Sequence, residues 1–564
     1  FKATRMILFR KSLLSNSIVY FCILIICFLF YGTTLSNQYN IDDNYVMLDQ
    51  PLSNQGIEAI PEIFTSNYIN KKNESHSYRP VTLTTFAIEY EFFGANPFVS
   101  HLLNVLLYSL CCFLVYRFIL HLDPQGNHQL LAITSTFVFL VLPVHSEVVN
   151  NVKCRDELLC FCFALLTCIQ FVRYGRSKSL KYTLLGALLL VASFLSKPSS
   201  FPLLAVIPIM MALFTPARKR FVWGVAGSLT TVYVALRLAR KYAVSDNLRV
   251  REIKFFENPL FDRETYSFVD RIPVAITTYW EYLRLLVYPE KLISYYGYNQ
   301  FEIATWTDTM VWVILLFICC LLAVVLKFWK KKPFLVFGIL WFSITISMFT
   351  NLVKPVVGII GERFAFLPSF GFSLFIGVLL VGLFKTSFFS KLPARMGLAI
   401  VLASIVILNG YQVNKRSSNW YDFETLMTHD TQVAPDSAKL QALLANHLFR
   451  KIRNEDNMAT RYELVEQASN LYQRSVEIYP GYYKSWNNMG TLVLNEFSDY
   501  EKALGYYKKA IQYKPDYKDA LFGAGYASEV LGDKASALNY YGRLMEIDPG
   551  HLNVAGRILQ LQSN

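Results

Sequence analysis

The stretch NSIVYFCILIICFLFYGT, residues 16–33, contains no charged side chain. About 20 predominantly apolar residues are enough for an α-helix to cross the hydrocarbon core of a membrane. The stretch therefore predicts a membrane-spanning helix. Comparable runs with almost no charge recur at residues 102–120, 306–326 and 364–384. Several such runs in one chain predict an all-α, polytopic membrane protein.

The composition of the 564-residue chain supports this fold class, because 54% of its residues are hydrophobic and only 17% are charged. A soluble domain usually has about 25% charged residues. The apolar excess ends near residue 412, after which the chain is polar. No small-residue cleavage site follows residues 16–33, so we expect this run to remain as an anchor rather than to be removed as a signal peptide.

The ten cysteines lie mostly within the apolar runs. Their spacing fits neither a disulfide framework nor a zinc site, and we interpret them as small hydrophobic residues. His145 and Glu147, two positions apart, are poorly spaced as joint metal ligands on one helix. The sequence therefore predicts no metal site.

The net charge of +13 is concentrated in short patches that separate the apolar runs and contain no acidic residue. These patches are Lys2, Arg5, Arg10 and Lys11; Arg173, Arg176, Lys178 and Lys181; Arg218, Lys219 and Arg220; Lys327, Lys330, Lys331 and Lys332; and Lys385, Lys391 and Arg395. Short basic loops are typical of the cytoplasmic side of a membrane protein. This distribution argues against nucleic acid as a partner.

Placing the basic patches inside gives eleven membrane crossings, with the N-terminus inside and the polar tail outside. The predicted crossings are about 14–33, 100–120, 129–143, 157–174, 180–196, 200–214, 221–239, 306–326, 334–352, 364–384 and 396–412. The apolar segment 273–289 would break the charge rule if it crossed, and it contains Glu281 and Arg284. We therefore interpret it as an interfacial or re-entrant helix within the external loop 240–305. The membrane domain predicted in this way covers residues 1–412.

The polar tail contains an internal repeat. Similar segments end at Pro480, Pro515 and Pro549, which are 35 and 34 residues apart. The residues that match the tetratricopeptide pattern are Trp486, Gly490, Ala503, Tyr507 and Pro515. The pattern predicts a solenoid of tetratricopeptide repeats over 435–564, preceded by a linker helix over 413–434.

Such a solenoid exposes a concave surface that suits the binding of a partner protein. The residues predicted to contribute to partner binding are Trp486, Tyr507 and Tyr541. The alternative is that the repeats only cap the membrane domain as a packing module.

A pair of adjacent carboxylates follows the first apolar run, in NQYNIDDNYVMLD at residues 38–50. The predicted topology places Asp42 and Asp43 outside, at the start of the first external loop, 34–98. A solvated loop or a helix cap would also explain the pair. The same topology places further polar residues on this side, namely Arg79, His101, Asn104, His145, Glu147, Lys153, Arg155, Asp156, Glu157, Lys197, Glu362 and Arg363. Ionisable groups at membrane depth are costly and usually mark a functional site.

This mixture of charges suits the transfer of a sugar from a lipid phosphate. Several cations on one face hold a phosphate by charge-assisted hydrogen bonds. A neighbouring carboxylate can deprotonate an incoming hydroxyl group, and the departing phosphate needs no second acid, unlike the leaving group of a glycosidase. Structural alternatives stay open, because Lys197 can extend its amine to the membrane surface. Likewise, Arg363 can pair with Glu362, and His145 can terminate a span.

The order of the motifs resembles a known family. The motifs are IDDNYV (41–46), YRPVT (78–82), HLLNVLLY (101–108), LPVHSEVVNNVKCRDELL (142–159), SFLSKPS (193–199), ENPLFD (257–262) and GERFAFLPSFGFSLFIG (361–377). Followed by the repeats, they resemble the transmembrane and tetratricopeptide-repeat-containing protein O-mannosyltransferases over nearly the whole chain. The resemblance implies a membrane fold of the GT-C glycosyltransferase type and a polyprenyl-phosphate sugar as donor, and the sequence requires no cofactor.

In that family an acidic residue at the start of the first external loop is the catalytic base. Carried over to this chain, the base is Asp43 or Asp42, with Asp43 favoured. The implied donor-phosphate contacts are Arg79, Lys153, Arg155, Lys197 and Arg363, and the implied supporting residues are His145, Glu147 and Glu362. The chain departs from the family pattern where Pro198 follows Lys197 and where Phe366 replaces a tyrosine.

Two functions follow from these observations. The first is a membrane glycosyltransferase that moves a mannose-like sugar from a polyprenyl phosphate to a protein hydroxyl on the extracytoplasmic side. The alternative is a non-catalytic scaffold that recruits subunits of a cell-envelope complex through the repeats. The spans show no inverted repeat, which disfavours a transporter. The amino-acid usage favours a bacterial inner membrane with the repeats in the periplasm, and the alternative is an endoplasmic reticulum membrane with the repeats in the lumen.

Overall fold

The structure is a computed structural model, and it describes residues 15–71, 74–123, 125, 127–244, 253–262, 264–386 and 392–563. In this part of the chain the secondary structure is almost entirely α-helical, as expected, apart from one short antiparallel pair of strands. The predicted basic residues Lys2, Arg5, Arg10, Lys11 and Lys391 lie outside the described residues.

The first part of the chain forms fifteen described α-helices. They are α1 (Asn16–Tyr31), α2 (Ile60–Ile63), α3 (Pro80–Phe93), α4 (Pro97–Leu122), α5 (Gln129–Leu140), α6 (Ser146–Asn150), α7 (Arg155–Ser177), α8 (Leu180–Ser196), α9 (Leu203–Phe214), α10 (Lys219–Ala243), α11 (Arg271–Val287), α12 (Thr309–Phe328), α13 (Pro333–Ile346), α14 (Phe366–Phe384) and α15 (Leu392–Asn419). In the first loop, strand β1 (Ile69–Lys71) pairs with β2 (Glu74–His76), and Ile69 lies opposite His76.

Six helical segments among the described residues are long and apolar enough to cross a membrane, or seven if one bent pair counts as a single span. The six are Asn16–Ser36, Pro97–Leu122, Val152–Ser177, Arg220–Ala243, Thr309–Phe328 and Glu362–Phe384. The bent pair joins Gln129–Leu140 to Pro143–Asn150 at an angle of 58°. These helices identify an integral membrane protein. Each predicted crossing falls on a helix, but the count of eleven crossings stays a prediction.

The helices of this bundle approach one another closely through glycine. A Cβ atom on Gly371 of α14 would lie 2.6 Å from the carbonyl oxygen of Gly338 on α13, so only glycine allows this crossing. Small residues at such crossings let helix backbones pack directly in a membrane. Nearby, the ring of Trp341 packs edge-on against Phe370 at 4.7 Å and donates from Nε1 to the Leu367 carbonyl oxygen.

The segment interpreted as interfacial or re-entrant forms the single helix α11. Tyr279 of this helix packs against Phe342 of α13 at a ring distance of 5.4 Å. The hydroxyl oxygen of Tyr282 accepts a hydrogen bond from the amide of Gly361, just before α14. Helix α11 is therefore attached to the bundle, and its position relative to the membrane stays a prediction.

The acidic pair and the basic loop that contains Arg176 lie at opposite ends of helix α4. At its C-terminal end, Arg176 donates to the carbonyl oxygens of His121 and Leu122, at 2.6 and 3.0 Å. At its N-terminal end, the hydroxyl of Ser100 lies 2.9 Å from that of Tyr39, three residues before Asp42. A helix of this length, 26 residues, spans about 39 Å. The two groups are therefore separated by the full height of the bundle.

The tail forms eight further α-helices. They are α16 (Phe423–Val433), α17 (Ala438–Ile452), α18 (Met458–Ile478), α19 (Tyr483–Phe497), α20 (Tyr500–Tyr513), α21 (Lys518–Val530), α22 (Lys534–Ile547) and α23 (Leu552–Ser563). We call α17 to α23 the helical array. Its consecutive helices pack against one another, and α17–α18, α19–α20 and α21–α22 form pairs.

Two tyrosines hold the pairs of the array together. A Cβ atom on Gly523 would lie 2.4 Å from the ring of Tyr507, and one on Gly525 would lie 2.5 Å from the ring of Tyr541. Both tyrosine rings are buried in this packing. Tyr507 and Tyr541 thus pack inside the array, whereas Trp486 is only partly buried, and the assignment of these three residues to partner binding stays a prediction.

The array shares a hydrophobic core with the membrane part of the chain. Leu440 and Leu444 of α17 belong to the same buried cluster as Tyr282 and Ile346 of the bundle. Helix α15 continues beyond the predicted domain boundary at residue 412. The array is thus packed on the bundle, while the predicted domain limits stay predictions.

Candidate active site

The acidic pair lies in a tight 3-10 turn, Ile41–Tyr45, that begins directly after Asn40. The side-chain oxygen of Asn40 accepts from the Ile41 amide, and the amide of Asn40 donates to Oδ2 of Asp43 at 2.9 Å. Ile41 has a φ angle of 37°, which is costly for a β-branched residue. Strained backbone of this kind is typical of functional sites.

Asp43 is fully buried, and both of its carboxylate oxygens accept backbone hydrogen bonds. Besides the bond from Asn40, Oδ1 accepts from the amide of Lys153 at 2.8 Å. Burial raises the pKa of Asp43 to about 7, against the two amide bonds, which lower it. Asp43 therefore attaches the first loop to the start of the span at Lys153.

Asp42 differs from Asp43 because 32% of its side chain is exposed. Its Oδ2 atom lies 3.6 Å from Nζ of Lys153. Partial burial alone would raise the pKa of Asp42, but the positive charges of Lys153, Arg363 and Lys439 hold it below its usual value. Asp42 is therefore an ionised, accessible carboxylate at neutral pH.

Two cations meet on the buried carboxylates that begin helix α7. Asp156 pairs with the guanidinium group of Arg79 through Oδ2, and its Oδ1 accepts from Nζ of Lys197 at 2.9 Å. Lys197 also lies 2.6 Å from Oε1 of Glu157, whose Oε2 accepts from the Ser199 hydroxyl. These contacts join the first loop, α7 and the turn after α8.

Arg363 is positioned by Glu147 of the short helix α6. The amide of Arg363 donates to Oε2 of Glu147 at 2.8 Å, and Nη1 donates to Oε1 at 2.9 Å. Glu147 is almost fully buried, whereas the arginine side chain is partly exposed. Arg363 is thus held at the start of its span, and its positive charge is one of the causes that lower the pKa of Asp42.

Arg155 does not join this group. Its guanidinium group, only 1% exposed, pairs with Glu89 and donates to the side chain of Asn104 and the carbonyl oxygen of Ser100. With these partners, Arg155 has no nitrogen directed to the accessible face of the site. The predicted contact of Arg155 with a donor phosphate does not fit this burial.

Two predicted supporting residues are also parts of the core. The ring of His145 bridges the hydroxyl groups of Tyr108 and Ser369, at 2.9 Å on each side. Glu362 is fully buried and accepts from the hydroxyl of Tyr296 at 2.9 Å. His145 connects α4 to α14, and Glu362 connects the turn before α14 to the loop after α11, whereas Glu147 orients Arg363 directly.

Lys439, at the start of helix α17, is a residue of the site to which the sequence assigned no role. It comes from the array and pairs with Glu257 at 2.9 Å, and its positive charge is a further cause that lowers the pKa of Asp42. The motif ENPLFD at 257–262 marked the partner carboxylate, but nothing in the repeat pattern marked the lysine.

The site thus combines one accessible carboxylate, Asp42, with the nearly buried cation Lys153 and the partly exposed cation Arg363. Arg79 and Lys197 are both paired with Asp156. Such a site can bind an anionic phosphate and accept a proton beside it. Over the described residues, no group of three or more His, Cys, Asp or Glu side chains is arranged to hold a metal ion.

The fold and this ionic site define the chain as a polytopic integral membrane protein with a charged centre at one end of its helix bundle. Within that class, the chain is a distant homologue of the TMTC protein O-mannosyltransferases, which confirms the resemblance seen in the motifs. No family model matches the chain.

Three relatives illustrate the homology. A protein O-mannosyl-transferase of Caenorhabditis elegans is 24% identical over 468 residues, covering 80% of this chain and 61% of the relative. Human protein O-mannosyl-transferase TMTC1 is 24% identical over 520 residues, covering 82% and 55%. Drosophila melanogaster protein O-mannosyl-transferase Tmtc3 is 24% identical over 630 residues, covering 96% and 61%. The chain spans about three fifths of the length of these relatives, and the homology suggests a membrane glycosyltransferase.

Proposed function

We propose that this chain is a membrane glycosyltransferase that moves a mannose-like sugar from a polyprenyl-phosphate donor to a protein hydroxyl on the extracytoplasmic side. One observation carries the proposal: Asp42 lies 3.6 Å from Lys153, and Arg363 is held on Glu147, in the helix just before the turn that carries Lys153. Homology to proteins named O-mannosyltransferases supports the same class of reaction.

In this proposal, the cations of the site bind the phosphate of the donor. Lys153 lies beside Asp42 and is nearly buried, and the side chain of Arg363 is partly exposed, so the two suit a phosphate whose lipid tail lies between the spans. Arg79 and Lys197 are held on buried carboxylates and keep the start of α7 in place. Positive charge at this position stabilises the negative charge that develops on the departing phosphate.

Asp42 suits the role of general base better than Asp43. Its carboxylate is accessible and ionised, whereas both oxygens of Asp43 are occupied by backbone amides. In the proposed step, Asp42 takes the proton of the acceptor hydroxyl, whose oxygen attacks C1 of the sugar. The bond between C1 and the phosphate oxygen breaks, and its electron pair leaves with the polyprenyl phosphate. A single displacement of this kind inverts the configuration at C1.

The basic loops indicate which side of the membrane the proposed site faces. Arg176 lies at the end of α4 opposite the acidic pair, and the positive-inside rule places such loops in the cytoplasm. The site then faces the extracytoplasmic side in a GT-C type fold with eleven crossings. Because the relatives named above come from animals, the lumen of the endoplasmic reticulum is favoured over a periplasm.

We assign the helical array to the protein acceptor. Its paired helices and the 34- and 35-residue spacing of their prolines support tetratricopeptide repeats. The array packs on the side of the bundle that carries the site, as the pair Lys439–Glu257 indicates. An acceptor held on the array therefore lies close to Asp42.

The decisive experiment measures sugar transfer directly. The full chain is reconstituted in lipid vesicles with polyprenyl-phosphate mannose and solubilised membrane proteins as acceptors, and hexose on Ser and Thr is detected by mass spectrometry. We expect transfer by the wild type, loss with Asp42→Asn, and retention with the matched control Asp49→Asn. Asp49 is exposed and lies in the same loop. Continued transfer by Asp42→Asn would overturn the assignment of Asp42 as the general base. An inactive wild type would overturn the glycosyltransferase proposal and favour the non-catalytic scaffold instead.

A further inference from the structure

The motif ENPLFD, residues 257–262, has no part in the transfer step and forms one wall of a separate cavity. The side chain of Asn258 caps the short turn Pro259–Phe261. Its Nδ2 atom also donates to Oδ1 of Asn351 at 3.0 Å and to the carbonyl oxygen of Val356 at 2.7 Å. The turn is therefore fixed against the loop that connects α13 to α14.

The cavity has a volume of about 260 Å³ and lies between this turn, the start of helix α11 and the same loop. Pockets for small molecules begin at about 300 Å³, so the space suits a headgroup rather than a single water. The lining residues are Leu260, Phe261, Arg271, Val353, Lys354 and Pro355. They include two cations and no acid, and none of them belongs to the site around Asp42.

The two cations of the cavity have no acidic partner in the part of the chain that the structure describes. The Nε atom of Arg271 is buried and meets no hydrogen-bond acceptor there. The nearest carboxylates in sequence are occupied elsewhere, because Asp262 accepts from Thr265 and Asp270 accepts from Ser267 within their own turns. The cavity therefore has an unmatched donor and an unbalanced positive charge, which an anion would satisfy.

The cavity lies at the level of the membrane surface. Ile276, in the second turn of α11, shares a buried cluster with Val311 at the start of the candidate span α12. Beside this start, the rings of Trp306 and Trp312 lie 5.6 Å apart and are exposed. Exposed tryptophans are typical of the boundary between membrane and water. Arg271, one turn before Ile276, is therefore at that boundary.

Exposed apolar side chains border the two cations. Phe268 and Val269, directly before α11, are each 56% exposed, and Val353, next to Lys354, is 81% exposed. Apolar residues that project beside cations at this depth are typical of segments that enter the lipid headgroup layer. The surroundings of the cavity thus favour a lipid as the source of the anion.

We propose that this cavity binds the phosphate of an anionic membrane phospholipid, with Arg271 and Lys354 on the phosphate oxygens and the acyl chains beside the exposed apolar residues. The planar guanidinium group suits two phosphate oxygens, and the lysine adds a second charge. The inference goes beyond the proposed function, because this lipid neither gives nor receives the sugar. It attaches the turn of the ENPLFD motif and the loop before α14 to the membrane surface.

The test titrates the full chain, in micelles of a neutral detergent, with phosphatidylglycerol, with phosphatidylcholine and with soluble glycerol 3-phosphate, and counts bound molecules by native mass spectrometry. The cavity variant is Arg271→Gln with Lys354→Gln. Its matched control is Lys330→Gln with Lys331→Gln, two exposed lysines beyond the other end of α12. We expect the wild type to prefer phosphatidylglycerol and the cavity variant to bind it roughly 30-fold more weakly, as two cations at an anionic surface contribute. The control should match the wild type.

Further variants separate binding from folding. Arg271→Lys keeps the charge and should retain most of the affinity. If the cavity variant does not fold, Lys354→Gln alone provides the test, because this side chain is exposed, with an expected loss of roughly fivefold. Unchanged affinity, an equal loss in the control, or equal binding of phosphatidylcholine would overturn the inference. Displacement of the lipid by glycerol 3-phosphate at equal concentration would identify a site for soluble phosphate esters and overturn the lipid assignment.

Discussion

The backbone amide of Lys153 donates a hydrogen bond of 2.8 Å to Oδ1 of Asp43. This bond joins the first loop to the start of a span 110 residues later in the chain. It also places the amine of the same lysine beside Asp42, at 3.6 Å. The buried aspartate therefore organises the exposed one, and the two adjacent carboxylates have different roles.

Substitution of each aspartate by asparagine separates those roles. We expect Asp42→Asn to lower hexose transfer by about 10²–10⁴-fold, the usual contribution of a general base, with little change in stability. Asp43→Asn brings an amide group against a backbone N–H and costs about 1–3 kcal/mol of folding free energy. Transfer assays and chemical unfolding of both variants check this. Equal stability losses in the two variants would contradict the assignment.

Lys197 and Lys153 differ in the carboxylates that lose a partner when the lysine is replaced, so the two substitutions should differ in their cost in folding free energy. Lys197→Met leaves Asp156 and Glu157, both buried, without one of their cations. Breaking a buried ion pair costs about 3–5 kcal/mol. Lys153→Met leaves Asp42 in contact with water, so its cost should stay within about 1 kcal/mol. Unfolding in detergent measures both values, and a larger loss for Lys153→Met would show that Lys153 is the structural cation.

Asp430 gives the contact between helix α16 and the membrane part of the chain a defined pH dependence. Burial alone would raise the pKa of this carboxyl, but Arg416 at 2.7 Å and its other hydrogen-bond partners lower it to about 2. A group with a lowered folded pKa stabilises the fold above its unfolded pKa, near 3.9, and loses this contribution as the pH falls through the folded value. The stability that Asp430 provides is therefore complete at neutral pH and disappears between about pH 4 and pH 2.

The variant Asp430→Asn should accordingly be about 3–5 kcal/mol less stable than the wild type at pH 7, with a difference that narrows below pH 4. Its matched control is Asp436→Asn, whose partner Arg474 is also largely exposed, with an expected loss of about 1 kcal/mol or less. Unfolding curves at pH 7 and pH 3 provide the comparison. A difference independent of pH would rule out the ion pair as its cause.

At two glycines of the array, we expect substitution by alanine to have opposite effects on stability. Gly523→Ala places a methyl group 2.4 Å from the ring of Tyr507, and overpacking of this kind costs about 1–3 kcal/mol. Gly505→Ala, inside α20, meets no atom within 4 Å and should stabilise the helix by about 0.5–1 kcal/mol. Thermal unfolding compares the two variants. A stable Gly523→Ala would mean that the repeat pattern does not depend on this contact.

Much of the architecture can be predicted from the sequence because its causes are local. The length of an apolar run determines whether a helix can cross a membrane, and each predicted crossing does fall on a helix. Small residues at repeated positions predict where tyrosine rings pack, as Gly523 and Tyr507 do. The same pattern does not show whether a ring packs between helices or binds a partner, and only the structure shows that the rings of Tyr507 and Tyr541 are buried.

By itself, then, the sequence determined the helical class, the division into an apolar bundle and a polar array, and the homology to O-mannosyltransferases. Only the tertiary structure decided that Asp42 is exposed and Asp43 buried, that Arg155 faces Glu89, and that Lys439 reaches Glu257 from 182 residues away. The physical reason is that burial and ion pairing depend on side chains brought together from distant segments, and spacing along a chain carries no record of those distances.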